Sequence, residues 1–163
     1  MPNNTVRILG IDPGYDRLGI AVIEKGSKSK ETALYSDCFM TSPKDSIYTR
    51  LHQIGKEIAR IADEFKPDKA GLESLFITKN QKTAMRVAEA RGIIAYELTK
   101  RNIPISEYSP MQIKMAVTGD GTSDKARMIK MVGLLVKMPK RKTQDDEYDA
   151  VAVAITCGAI IHS

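Results

Sequence analysis

The chain has 163 residues, 42% of them hydrophobic, and Lys+Arg 25 against Asp+Glu 20 give it a formal net charge of +5. That size and apolar content argue against disorder and suit a single domain, 1–163, with a real core; the positive balance favours a polyanionic partner. Cys38 and Cys157 are the only cysteines, which excludes a disulfide framework or a cysteine-rich zinc site, and the longest apolar run, Ala150 to Ile161, is interrupted by Thr156, Cys157 and Gly158 and is too short to span a bilayer. With no cationic start leading into an apolar stretch, the expectation is a cytoplasmic protein.

Arg7 to Ile11 reads as a short apolar strand turned by Pro13-Gly14. Leu18 to Glu24 returns, and Thr32 to Met40 follows a polar loop, so the first third is expected to be an antiparallel meander. From Ser46 the period changes. Ile47, Leu51, Ile54, Ile58, Ile61 and Phe65 recur every three or four residues, the mark of one amphipathic helix face, and Lys66-Pro67-Asp68 ends it. Lys69 to Glu73 is a fourth strand, expected to run parallel to the first because a helix crosses between them. A helix from about Asn80 to Arg101 follows, then a fifth strand over Ile103 to Tyr108 and a short helix over Pro110 to Val117. The glycine-rich loop 118–122 leads to Ser123, a candidate cap for a helix over Asp124 to Val136, and the basic linker 137–142 leads to a last helix over Asp145 to about Ile160. This order predicts an α/β protein of the ribonuclease-H-like type, with a five-stranded mixed sheet flanked by helices.

Four acids in three separated segments carry the chemistry. Asp12 and Glu73 end apolar strands, and Asp146 and Asp149 stand three apart on the last helix, on one face, with Glu147 turned elsewhere. The fold would bring Asp12 and Glu73 to the same sheet edge. Carboxylates gathered that closely repel one another and shift toward protonation unless a cation neutralises them, and an oxygen-only site suits Mg2+ or Mn2+ rather than zinc. Each acid also has a plain structural explanation: Asp-Pro-Gly is a good turn, and acids in a first helical turn complement the helix dipole. Spacing leaves Asp145 open as a ligand or a cap. The argument therefore rests on the set, and on a basic protein the set points to metal-dependent phosphodiester chemistry.

The basic residues divide in the same way. Lys140, Arg141 and Lys142 immediately precede the acidic helix, where a cationic rim would let a phosphate backbone approach; a solvated loop is the plain alternative. Lys114 and Lys125 read as ordinary helix-face lysines. Phe76, in a strand-to-helix loop, could stack on an unpaired base or lie in the core. Gly10-Ile11-Asp12-Pro13-Gly14 is also compatible with the first phosphate hairpin of actin-like ATPases, a reading that needs a second Gly-rich hairpin this sequence lacks.

At these residues the chain resembles the RuvC family of Holliday-junction resolvases. The motifs occur in order: Ile8 to Gly14, Glu73-Ser74-Leu75-Phe76 with Lys79-Asn80, Ala90-Arg91-Gly92, Gln112-Ile113-Lys114, Gly119-Asp120-Gly121 with Lys125, and Asp146-Glu147-Tyr148-Asp149-Ala150. The resemblance selects Asp146 over Asp145. It implies a homodimeric structure-selective endodeoxyribonuclease that binds four-way junction DNA and resolves it by paired symmetric nicks in recombination and repair. Asp12, Glu73, Asp146 and Asp149 would hold two Mg2+ ions per active site, with Mn2+ as a substitute. Lys114 and Lys125 fall at the family's phosphate-contact positions and Phe76 at its stacking position, and the branch-migration proteins RuvA and RuvB are implied partners. The small-residue face around Ala84, Ala88, Arg91, Gly92 and Ala95 is a plausible isologous contact. A ribonuclease-H-like nuclease acting on RNA or other branched DNA, or a junction-binding protein without activity, are the competing readings.

Overall fold

The structure is a computed structural model that describes residues 5–27, 29–74 and 79–160. Strands β1 (Val6–Asp12), β2 (Arg17–Lys25) and β3 (Glu31–Met40) form the expected antiparallel meander. Helix α1 (Ile47–Phe65) opens on Ser46, whose side chain accepts from the Thr49 amide, and stops at Lys66 in a left-handed conformation just before Pro67. Strand β4 (Lys69–Glu73) pairs parallel to β1, helix α2 (Gln81–Lys100) follows, and β5 (Ile105–Tyr108) pairs parallel to β4. Helices α3 (Pro110–Thr118), α4 (Lys125–Leu135) and α5 (Asp145–Ala159) complete the order, with β6 (Val136–Lys137) between the last two.

The α/β reading holds, but the sheet has six strands in the order β5-β4-β1-β2-β3-β6, not five. The sixth is two residues long and continues directly from α4 to pair parallel with Glu31 and Thr32, so it carries no alternation to read. Strand β5 begins at Ile105 rather than Ile103: the Ile103 amide donates back to Leu98 O at the end of α2, and Pro104 has no N–H to give a ladder. The cap of α4 is Asp124, not Ser123. Asp124 Oδ1 accepts from the Arg127 amide at 2.8 Å, while Ser123 Oγ lies 2.6 Å from Thr118 Oγ1 and ties the loop between α3 and α4 together.

Strand alternation divides the core into two layers. Leu9 and Ile11 of β1, with Leu18, Ile20 and Val22 of β2, face α1 and α2. Ile8, Ala21 and Ile23 face α3, α4 and α5. Gly10 and Gly19 fall on that second face, directly beneath α5. A Cβ on Gly10 would run into Ala150 O and stand 2.6 Å from Ala154 N, and one on Gly19 would run into Asp146 O. The helix backbone therefore rests on the strand backbone, and any side chain at either position would push it away.

A buried carboxylate fixes the entry to α5. Glu147 is 1% exposed, accepts from Ser36 Oγ and the Gln144 amide at 2.7 Å each, and is paired with Arg141 at 2.7 Å. Arg141 also donates to Ser36 O at 2.8 Å. Of the basic linker, Arg141 is thus anchored to Glu147 and Ser36 while half of its side chain stays exposed, and Lys140 and Lys142 are exposed as well. Burial works against the Glu147 charge, but Arg141, the Gln144 amide and Ser36 outweigh it and hold the carboxyl below its usual 4.5. A depressed carboxyl adds stability that is present above its unfolded pKa and lost as pH falls through the folded one. Arg141→Met should therefore destabilise the protein at pH 7 by about 1–3 kcal/mol, since the half-exposed arginine leaves a buried charge behind. The difference from wild type should shrink at acid pH, as Glu147 is protonated through its lowered folded pKa and the pair with Arg141 is lost. Urea unfolding at pH 7 and at acid pH checks this; a difference that does not depend on pH would show that the pair is not what the arginine supplies.

Candidate active site

Two strand ends and one helix start meet in a single cleft. Ile11 of β1 is in register with Leu72 of β4, so the next residues, Asp12 and Glu73, leave adjacent parallel strands side by side. Leu9, Ile11, Ala70 and Leu72 face α1 and α2, so alternation turns Asp12 and Glu73 to the opposite face, toward α5. The seat at Gly10 and Gly19 brings the first turns of α5 over them, with Asp146 above Gly19 and Asp149 one turn further. Asp12, Glu73 and Asp149 line a cleft of about 270 Å³ together with Lys114 of α3 and Lys125 of α4.

The crowding shows in the charges. Asp12 shares a hydrogen bond with Glu73, and its pKa is pushed up to about 8 by burial first, then by that bond and the Glu73 charge, with a further push from Asp146. Lys125 opposes the shift only in part. Asp149 is also raised, by burial, although Lys125 Nζ lies 2.6 and 2.8 Å from its two oxygens and pulls the other way. Burial disfavours the Lys125 ammonium, yet Asp149, Asp145 and Asp12 keep its pKa above the usual value. Asp146 behaves differently. Burial acts against its charge too, but Arg17 overcomes this and the carboxyl is lowered, with Arg17 Nη2 2.6 Å from Oδ2.

The four predicted acids are thus gathered, but not on a common point. Among the described residues no three acidic, histidine or cysteine side chains are close enough together to hold an ion as they stand; Asp146 and Asp149 each turn to their own cation instead. The donor set is nonetheless carboxylate oxygen alone, with Asp12 pushed toward its neutral form and two cationic partners beside Asp146 and Asp149. That is the chemistry a hard divalent cation fits, displacing a proton as it binds.

Asp145 is exposed at the first turn of α5 and Gln144 occupies the cap. Lys114 and Lys125 border the acids, whereas Phe76 lies outside the described residues. Arg17 is a residue of the site that no motif in the sequence marks. Its only sequence signal is its place three residues after Gly14, and the pairing with Asp146 spans 129 positions that no local pattern connects.

A family model described as crossover junction endodeoxyribonuclease RuvC matches residues 8–157. Curated relatives of that same name include one from Petrotoga mobilis, 43% identical over 93% of this chain and 92% of its own length. Another, from Thermosipho melanesiensis, is 43% identical over 91% and 94%. Among solved structures, T. thermophilus RuvC in complex with Holliday junction substrate superposes with a TM-score of 0.88 at 26% identity, covering 94% of this chain and 93% of that one. The yeast mitochondrial Holliday junction resolvase Ydc2 superposes at 0.69 over 93% and 77%; at 15% identity it shares the fold. With the family model spanning residues 8–157 and relatives 43% identical over more than nine-tenths of its length, the chain belongs to the RuvC family of crossover junction endodeoxyribonucleases.

Proposed function

We propose that this protein is a structure-selective endodeoxyribonuclease that resolves four-way DNA junctions in recombination and repair. The observation that carries the reading is the meeting of Asp12, Glu73 and Asp149 in one cleft beside Lys114 and Lys125, with Asp146 near enough for its charge to act on Asp12, in a chain of this family. Asp12, Glu73, Asp146 and Asp149 would hold two divalent ions, Mg2+ by preference and Mn2+ as a substitute. When bound, the ions supply Lewis-acid charge for activating water and for stabilising the leaving 3′-oxygen. The residues themselves supply position and field. Asp12 and Glu73, fixed at the ends of paired strands, form a rigid base, and Asp146 and Asp149 close it from a helix that cannot slide on its glycine seat. Lys114 and Lys125 place positive charge at the rim where a phosphate must come within reach of the acids, and Lys140 and Lys142 extend it along the exposed linker.

Paired nicks require two active sites at fixed separation, and α2 offers the surface for a homodimer. Met85 and Tyr96 are 64% and 61% exposed, Ala88 and Gly92 lie exposed between them, and nothing stands within 4 Å of where a Gly92 Cβ would be. This strip differs from the expected one. Ala84 and Ala95 are partly covered, and Arg91 is bonded to Glu107 at 2.8 Å, so Met85 and Tyr96 take their place at the contact. Partnership with RuvA and RuvB and action in the cytoplasm belong to the same reading; among the described residues no helix is long and apolar enough to cross a membrane.

Two measurements test the proposal. Synthetic four-way junction, linear duplex and RNA/DNA hybrid are incubated with the protein in Mg2+ or in EDTA. Paired nicks in the junction alone, dependent on Mg2+ and lost in Asp12→Asn while junction binding persists, are expected. Cleavage of the hybrid in preference to the junction would favour a ribonuclease instead, and wild-type rates in Asp12→Asn would remove the site assignment. Light scattering at micromolar concentration should give a dimer that Gly92→Arg converts to monomer, because a bulky charge at the closest approach cannot be accommodated twice across an isologous contact. A monomer that still makes paired nicks would contradict this.

A further inference from the structure

We propose that Arg17 is the resident counter-ion of Asp146 and that it sets the affinity of the acidic cleft for divalent cations by competing for that carboxylate. The inference rests on the reading of Asp146 as a metal ligand.

Arg17 has a fixed base and a movable head. The turn before it is pinned: the Thr41 amide donates to Asp16 O at 3.1 Å, the Thr41 hydroxyl donates to Tyr15 O, and Arg50 pairs with the Asp16 side chain. Asp12 and Gly19 are register partners on β1 and β2, so this turn carries Arg17 back toward the acid-bearing end of the sheet. The guanidinium itself is half in water, with 50% of the side chain exposed.

Its contacts with Asp146 are of the exchangeable kind. Nη2 and Nε both donate to Oδ2, at 2.6 and 3.2 Å, and Nη2 also reaches Gln144 Oε1 at 3.2 Å. Two bonds converging on one oxygen are not the parallel fork in which each nitrogen takes its own oxygen, the geometry that makes an arginine–carboxylate pair hard to separate. Arg17 therefore neutralises Asp146 while no ion is present. Two independent features mark this as more than a surface ion pair. Asp146 is largely covered and its charge acts on the half-buried Asp12, and Arg17 is a cation of a strand turn set against an acid of a helix. For Asp146 to serve as a ligand the guanidinium must move off, or remain and withdraw negative charge from the site. Either way its presence weakens ion binding.

The alternative is that Arg17 orients Asp146 for the ion, in which case its removal would weaken binding. The two roles differ in sign. Mn2+ is titrated calorimetrically into the full-length wild-type protein and into Arg17→Gln, Arg17→Lys, Asp146→Asn and Arg101→Gln, with thermal melting to verify folding of each. Arg17→Gln should bind Mn2+ about two- to five-fold more tightly, the range expected for losing a partly exposed competing pair, and Arg17→Lys should fall between it and wild type. Arg101→Gln, which removes a distant pair with Asp63, should leave the affinity unchanged. Unchanged or weaker binding in Arg17→Gln, with Asp146→Asn also weakened, overturns the role of Arg17 and leaves the ligand assignment standing. Unchanged binding in Asp146→Asn removes the ligand assignment, and the role of Arg17 with it.

Discussion

Helix α5 lies directly on the backbone of β1 and β2, where Gly10 and Gly19 put no side chain between helix and sheet, and that contact sets Asp146 and Asp149 over the strand ends that carry Asp12 and Glu73. The contact is made possible by an alternation that sends β1's large residues, Leu9 and Ile11, to the other face. It also explains why α5 is apolar almost all round beyond its first turns. Ala150 to Cys157 are buried against the sheet on one side and α3 and α4 on the other, so the helix is a central layer with one wet end. That wet end carries the acids. Glu147, facing inward from the same turn, is held by Arg141 and Ser36 and prevents the helix start from fraying.

Gathering acids in a half-buried cleft is unfavourable, and the protein offsets it in three distinct ways. Asp12 is hydrogen-bonded to Glu73, Asp149 is bonded to Lys125, and Asp146 to Arg17. Each device meets one carboxylate's need without filling the cleft, and each is reversible when a divalent ion brings more charge than a proton or an ammonium. The cations have a second consequence. On the proposed function, DNA approaching four bare carboxylates would be repelled, and Lys114 and Lys125 at the rim would lessen that repulsion over distances shorter than the screening length.

Much of this was legible in the residues because it is local. The three- and four-residue spacing over Ile47 to Phe65 is α1, the apolar run Arg7 to Ile11 is β1, and a helix between two strands implies the parallel pairing that sets Asp12 beside Glu73. What could not be read depends on distant partners. Arg141 looks like any linker cation until Glu147 and Ser36 are brought to it, 6 and 105 positions away. Arg17 and Asp146 are 129 apart, and β6 is two residues with no period at all. The exposed strip of α2 is an intermediate case: its small residues were visible, but whether Arg91 or Tyr96 points outward depends on Glu107 of β5 claiming the arginine.

The central claim is that these four carboxylates form one divalent-ion site. Anomalous diffraction from crystals of the full chain soaked in Mn2+ tests it most directly. The account predicts anomalous density in the cleft within coordination distance of Asp12 and Glu73, completed by Asp146 or Asp149 turned away from its present cation. Mn2+ bound only elsewhere, with Asp146 still on Arg17 and Asp149 still on Lys125, would contradict it.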